Sequence, residues 1–322
     1  MTMKQIAFAT ILRRRQGAST GAIGAFTLIE LLVVISIIAI LLAVLMPSLS
    51  AARQSGVASV CLANLRTLGQ GLTMYSTDHH DHLVPGRLPK VDNDNWRSLV
   101  LGGWKYRPTF LAMMGTNVGI KAFDEPMPSR ANFDRFGQRG DRQDYSSKVY
   151  VCPAVPDWTD ERNGSYGYNY QFLGNSRLLD GSDIFSFKNW PVSVTRIHDT
   201  SRTVAVADSM GTAATYSPDE RRPYENNAED GHRLGNEGFN LDPPCIDLSS
   251  GEAAKFPDKR SAVDLRHLGR ASVLWVDGHT EARRPEELGY RTNFDGSYAW
   301  FGNNSLWTGT GRDVPWSRGL PQ

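Results

Sequence analysis

A chain of 322 residues with a mean hydropathy of −0.37 is long enough for one sizeable domain plus a membrane stem, or for two small domains, and most of it is water-soluble. Lys and Arg, 35 together, nearly cancel 34 Asp and Glu, leaving +1 at pH 7. The first 25 residues hold Lys4, Arg13, Arg14 and Arg15 and no acid, so removing them takes the chain to about −3. A mildly acidic body gives no electrostatic reason to expect a nucleic-acid partner. Cys61, Cys152 and Cys245 are too few and too dispersed for a disulfide scaffold or a zinc knuckle. At most one pair can form, with Cys152 and Cys245 the first candidates in an oxidising compartment. Reduced, buried thiols are the leading reading.

The first element is an almost unbroken apolar run over 31–46. With Ala25 to Ile29 in front, it is about 22 residues, or roughly 33 Å of helix, enough to cross a bilayer. Arg13-Arg14-Arg15 precede it. The positive-inside rule therefore puts the N-terminus in the cytoplasm and the body outside. Glu30 breaks the apolar pattern. A charged group at a helix centre costs about 2.5–3.5 kcal/mol in lipid and less near an end, so this carboxylate calls for a partner. A secretory signal peptide would have a shorter core, and the small residues after Pro47 match its cleavage site only loosely. A plain anchor explains the length and the basic flank but not Glu30.

The stretch Ala25-Phe26-Thr27-Leu28-Ile29-Glu30-Leu31-Leu32-Val33-Val34-Ile35 closely resembles the class III signal of type IV pilins and type II secretion pseudopilins. The resemblance implies cleavage between Ala25 and Phe26 by a prepilin peptidase and N-methylation of Phe26. It implies that Glu30 pairs with the terminal amine of a neighbouring subunit, and that Pro47 is a helix-bending proline. The partners it implies are the peptidase, other pilin or pseudopilin subunits and the inner membrane, with the body periplasmic. One departure is Ala25, where the family usually has Gly; here Gly24 stands one step earlier.

After Pro47 the apolar spacing changes. Ala58, Cys61, Leu62, Leu65, Leu68, Gly69, Leu72 and Tyr75 recur at three and four residues, which predicts an amphipathic helix laid on a core. The helix is expected from Phe26 to about Ser76, bent near Pro47, and ended by Asp78-His79-His80-Asp81-His82 and Pro85-Gly86. Candidate strands are 148–152, 166–173, 203–208, 271–276 and 279–282. Polar stretches near 122–146 and 211–262 read as long loops. The expected organisation is a leader (1–25), a membrane and assembly helix (26–46), an amphipathic stem (47–82) and a globular β-rich domain (83–322). The fold class is α+β and pilin-like, a long N-terminal helix packed on a small antiparallel sheet with long loop insertions.

In the C-terminal segment 266–279, Asp277-Gly278 suits a two-residue type I′ hairpin turn. Alternation puts Ser272, Leu274 and Val276 on one face and Val273, Trp275 and Asp277 on the other. His267 is expected to hydrogen-bond to this hairpin and lock it. The spacing of His267 from Asp277-Gly278 matches the His-x9-Asp-Gly motif of a planctomycete-type subgroup of pseudopilin-like proteins. Asn64-Leu65-Arg66 with Tyr75-Ser76-Thr77-Asp78, Tyr166-Gly167-Tyr168-Asn169-Tyr170 and Val206-Ala207-Asp208-Ser209 resemble further pieces of it.

Other chemistry is weaker. Residues 78–82 suggest metal ligands, but neighbours at a helix end cannot all face one ion, and no second group completes a site. Asp277, Glu281 or Asp295 are oxygen ligands available to Ca²⁺, without ordered spacing. No metal site and no cofactor are therefore assigned, with Ca²⁺ the one candidate. Ser209, His267 and Asp277 lack a Gly-x-Ser-x-Gly elbow, and no catalytic activity is expected. The reading reached is a structural pseudopilin or minor pilin. The alternative is a membrane-tethered recognition module for secreted substrates or glycans.

Overall fold

The computed structural model describes residues 27–86, 97–106, 108–125, 144–155, 165–176, 188–189, 191–221, 238–246 and 260–314. The expected cleavage site, Ala25 and Phe26, lies outside them, as do 126–143, 222–237 and 247–259 of the expected loops. The chain forms two compact units, one ending at Ser50 and one starting at Ala51.

Helix α1 (Leu28–Asp78) has 51 residues and contains Pro47. Its start is a capping box. The Glu30 N–H donates to Thr27 Oγ1 (3.3 Å), and the Thr27 N–H and hydroxyl donate to Glu30 Oε2 (2.9 and 2.7 Å). In the first unit the large apolar side chains of α1, from Leu28 to Leu49, are all exposed, between 44% and 81%. The hydroxyls of Ser36 and Ser48 donate back to the carbonyls of Leu32 and Leu45, so they need no outside partner. This is a helix long and apolar enough to cross a membrane.

In the second unit α1 becomes one-sided. Cys61, Leu65, Leu68 and Leu72 are buried at spacings of four, three and four residues. Burial of each leucine contributes about 1.5–3 kcal/mol. The helix ends where the Asp81 N–H turns back to the Ser76 carbonyl (2.8 Å), with His80 and Asp81 at positive φ. The His79 ring stacks on Tyr75 at 3.8 Å.

The body of the second unit is built on a four-stranded antiparallel sheet of β3 (Tyr166–Tyr168), β6 (Val204–Asp208), β7 (Ala271–Trp275) and β8 (Thr280–Arg283), adjacent in that order. Register pairs Tyr166 with Asp208, Val206 with Leu274, and Leu274 with Thr280. Smaller elements surround it. They are the β1 (Arg97–Val100)–β2 (Gly103–Tyr106) pair, α2 (Phe110–Asn117), α3 (Tyr170–Leu173), the β4 (Asn175–Ser176)–β5 (Lys188–Asn189) pair, and the β9 (Arg291–Thr292)–β10 (Tyr298–Ala299) pair. The class is α+β.

Both faces of the sheet are covered, and strand alternation decides which residue goes where. Leu274, Val276 and Val206 join the buried face of α1, Phe110, Tyr150 and Tyr168 in one core. Ala271, Val273, Trp275 and Ala207 join Leu241, Leu288, Tyr290 and Trp307 in the other. The alternation expected for 272–277 holds for its apolar members.

Two glycines of α1 set how closely its layer can approach. A Cβ on Gly71 would lie 2.1 Å from the Met114 carbonyl oxygen, and one on Gly69 would lie 2.6 Å from Leu274 Cδ1 and 3.2 Å from the Gly278 carbonyl oxygen. The bare backbone of α1 thus touches both α2 and the β7–β8 turn.

Three local expectations need correction. Residues 148–152 are not a strand. Lys148–Tyr150 forms a 3-10 turn because the Ser147 side chain accepts from the Val149 N–H, offering the backbone a local alternative. The stretch 166–173 splits into β3 and α3 at Asn169, whose Nδ2 donates to the carbonyls of Val204 and Trp307 (both 2.9 Å). The β7–β8 turn is not type I′. The Gly278 N–H bonds to the Trp275 carbonyl and the Trp275 N–H to the His279 carbonyl, and positive φ falls at Gly278 (90°) but not at Asp277. This is a three-residue loop closed by a left-handed glycine. A two-residue turn with two positive φ angles occurs instead at Leu268 (55°) and Gly269 (75°), between the mutually bonded His267 and Arg270.

Two stability predictions follow from these geometries, each read by thermal unfolding of the full chain. Gly71→Ala gains about 1 kcal/mol of helix propensity, but its methyl meets rigid backbone, and overpacking of this kind costs about 1–3 kcal/mol or more. The net result is a lower midpoint; an unchanged or raised midpoint refutes the close approach. Leu268→Asn relieves an exposed leucine held in the left-handed region, where the conformational cost is about 1–2 kcal/mol and asparagine is favoured. The midpoint rises, by about 2–4 °C per kcal/mol gained in a domain of this size.

Candidate functional site: a buried Cys-Cys-Asp-His cluster

The helix-side core contains one strongly polar spot. Cys61 comes from the buried face of α1, and Cys152 from the segment after the Lys148–Tyr150 turn. Asp208 is the last residue of β6, and His267 precedes the tight turn into β7. One ligand-type atom from each lies within 4.8 Å of all the others, and all four residues are buried. Cys61 Sγ is 3.4 Å from Asp208 Oδ1, Cys152 Sγ is 3.1 Å from His267 Nε2, and His267 Nε2 is 3.4 Å from Asp208 Oδ2.

The surroundings fix each side chain. The Ser272 backbone N–H donates to Asp208 Oδ2 (2.6 Å), so the start of strand β7 holds the carboxylate. The Cys152 N–H donates to Ser165 Oγ (2.7 Å), and the Tyr166 hydroxyl sits 3.3 Å from Cys61 Sγ. Gly167, next in β3, has no room for a side chain: a Cβ would stand 2.7–2.9 Å from Leu241, Asn240 and Ser209. Arg266, paired with Asp264 at 2.7 Å and bonded to the Ser209 carbonyl, brings a guanidinium beside the cluster.

Electrostatics divides the two thiols. The hydrogen bond from Cys61 pulls the Cys152 thiol down against the effect of burial, with His267 and Arg266 adding to it. The same bond, burial and the charge of Asp208 push Cys61 up. Burial raises Asp208 to about 6 although Arg266 opposes it. His267 is raised: burial would lower it, but its bond to Cys152 and the charge of Asp208 outweigh that. Two thiols, a carboxyl and an imidazole thus share a dry core, where any charge is costly to bury unless it is compensated. Cys61, Cys152 and Asp208 are completely buried, so the cluster is closed on the side of the described residues.

The sequence singled out His267, and the structure corrects its role. Its side chain bonds to Cys152 and Asp208, outside its own hairpin, while Asp277 Oδ1 bonds to the His279 ring (2.6 Å). His267 reaches the α1 layer beside Cys61, and Gly278 meets α1 again near Gly69 and Thr73, so the two ends of the motif approach the same helix about two turns apart.

Ser209, His267 and Asp277 do not form a hydrolytic triad. The Ser209 hydroxyl donates to the Asn240 carbonyl (3.3 Å), and Asp277 is engaged by His279. The calcium candidates are likewise spoken for locally: Asp277 by His279, Glu281 by Arg283 (2.8 Å) and Asp295 by Ser297 (2.6 Å). His79 and His82 turn their Nδ1 atoms to backbone carbonyls of Tyr75 and His80 (2.8 and 2.9 Å). All three cysteines are free thiols, in line with the leading reading, with Cys61 and Cys152 buried and Cys245 partly so; the candidate Cys152–Cys245 pair is not formed. Cys245 lies apart, its backbone held by Asn304 and bridged to Phe301. Glu30 and Pro47 belong to the first unit, where Glu30 caps its own helix. Cys61, Cys152 and Asp208 were missed as a group because no short spacing links them; 147 residues separate Cys61 from Asp208 and 115 separate Cys152 from His267.

No family model, no curated protein and no solved structure matches this chain.

Proposed function

We infer that this chain is a non-enzymatic, pilin-like subunit, cleaved before Phe26 and assembled through the first half of α1 into a fibre that displays its body outside the inner membrane. The observation that carries the reading is an uncovered apolar surface on α1 from Leu28 to Leu49, with a carboxylate, Glu30, at its N-terminal end. A surface of that kind is at home in lipid and then against like helices, where packing replaces lipid contact. The resemblance of 25–35 to the class III prepilin signal supports the same conclusion. In the fibre, Glu30 exchanges its Thr27 partners for the terminal amine of a neighbour, so two charges neutralise each other in apolar surroundings.

Mass spectrometry of the mature chain from its own membrane tests the processing. A methylated Phe26 terminus is expected; an intact leader refutes it. Two substitutions then separate the roles of Glu30. Glu30→Val leaves insertion intact but strands the neighbour's amine, at about 3–5 kcal/mol for a broken buried pair. Cross-linked oligomers should therefore fall at least about tenfold. Thr27→Ala removes the cap, worth about 0.5–2 kcal/mol, and keeps the charge, so oligomers persist. Normal assembly of Glu30→Val, or equal loss in both variants, rejects intersubunit pairing.

A further inference from the structure

We propose that Cys61, Cys152, Asp208 and His267 form a closed, four-coordinate site for a Zn²⁺-class divalent ion that ties the stem half of α1 to the sheet. The donor set is two sulfurs, one imidazole nitrogen and one carboxylate oxygen, the mixture that borderline-soft tetrahedral metals select. Ligand bond lengths of about 2.0–2.3 Å place neighbouring donors of a tetrahedron roughly 3.3–3.8 Å apart. Cys61 Sγ to Asp208 Oδ1 at 3.4 Å fits that range, and Cys152 Sγ to His267 Nε2 at 3.1 Å falls just below it. One donor atom from each of the four residues lies within 4.8 Å of the others, so an ion draws the set inward by up to about 1 Å.

Two thiolates and a carboxylate around a divalent cation leave one net negative charge, and the buried Arg266 guanidinium, shared with Asp264, lies beside them. The carboxylate is already oriented by the Ser272 N–H, an outer contact of the kind that fixes metal ligands. Every ligand is buried, so no coordination position faces solvent, as in a structural site rather than a catalytic one. Each comes from a different segment, so loading the site joins α1, the loop after Tyr150, the end of β6 and the entry to β7 at one point. The assignment does not depend on fibre assembly and would hold equally for a membrane-tethered recognition module.

The test uses the full chain extracted from its membrane in detergent without chelator, in a Cys245→Ser background that leaves only the two proposed thiols. Elemental analysis should find about one zinc per chain, and Co²⁺ exchange should give thiolate-to-metal charge-transfer bands with the intense visible bands of a tetrahedral site. Cys152→Ser and His267→Asn should each lower metal content at least about tenfold. His267→Cys should restore binding with a shifted Co²⁺ spectrum, which a misfolded variant would not do. Replacing His79 and His82 by Ala should change nothing. The proposal is overturned by a Cys61–Cys152 disulfide in the non-reduced peptide map. It is equally overturned if the reduced chain takes up neither Zn²⁺ nor Co²⁺, or if metal content survives loss of the ligands.

Discussion

Gly69 and Gly71 remove two side chains from α1 where its backbone meets the β7–β8 turn and α2. That close approach fixes the height of the helix above the sheet, and with it which side chains can meet in between. Leu65, Leu68 and Leu72 fill the gap with apolar volume, and Cys61, farther along the same face, arrives at the ends of β6 and β7. A helix held one methyl group farther away would leave Cys61 short of Asp208. Steric permission at two glycines therefore precedes the polar chemistry.

That chemistry in turn explains several segments that look unrelated along the chain. Tyr166 of β3 contacts Cys61, Asp208 ends β6, and His267 opens the C-terminal motif. Each belongs to a different stretch, and all of them meet at one buried cluster. The second core, on the far face of the sheet, has its own polar anchor in Asp242. Its carboxylate accepts from Gln171 and the Ser261 backbone, and its charge faces Arg260. The sheet is thus held by apolar packing on both faces and by one polar knot on each.

Much of the fold was legible because it depends on period. The apolar run, the change to spacings of three and four after Pro47, and the alternation in β7 report local geometry directly. The errors arose where a side chain competes with the backbone. Ser147 converts a β-branched, aromatic stretch into a 3-10 turn, and Asn169 ends β3 by satisfying carbonyls of Val204 and Trp307. The Asp277-Gly278 turn was correctly placed and wrongly typed, since either loop length ends on a left-handed glycine. Of the cluster, His267 was visible through its motif, Asp208 through the 206–209 resemblance and Cys61 as a core-facing position of the helix, with nothing to show that they meet. Two isolated cysteines and an aspartate at a strand end carry no mark of one another until the sheet pairs β3, β6 and β7.

The two contacts that the motif makes with α1 also have a mechanical meaning. His267 and Gly278 fasten the ends of β7 to positions near Cys61 and Gly69, so strand and helix run side by side between two pins. A load applied along the axis of α1 then reaches the sheet as shear, spread over both pins and the leucines between them, and does not peel the helix away one contact at a time. The stem half of α1 is in this sense a tenon seated in the body, held at one end by the polar cluster and at the other by close backbone packing.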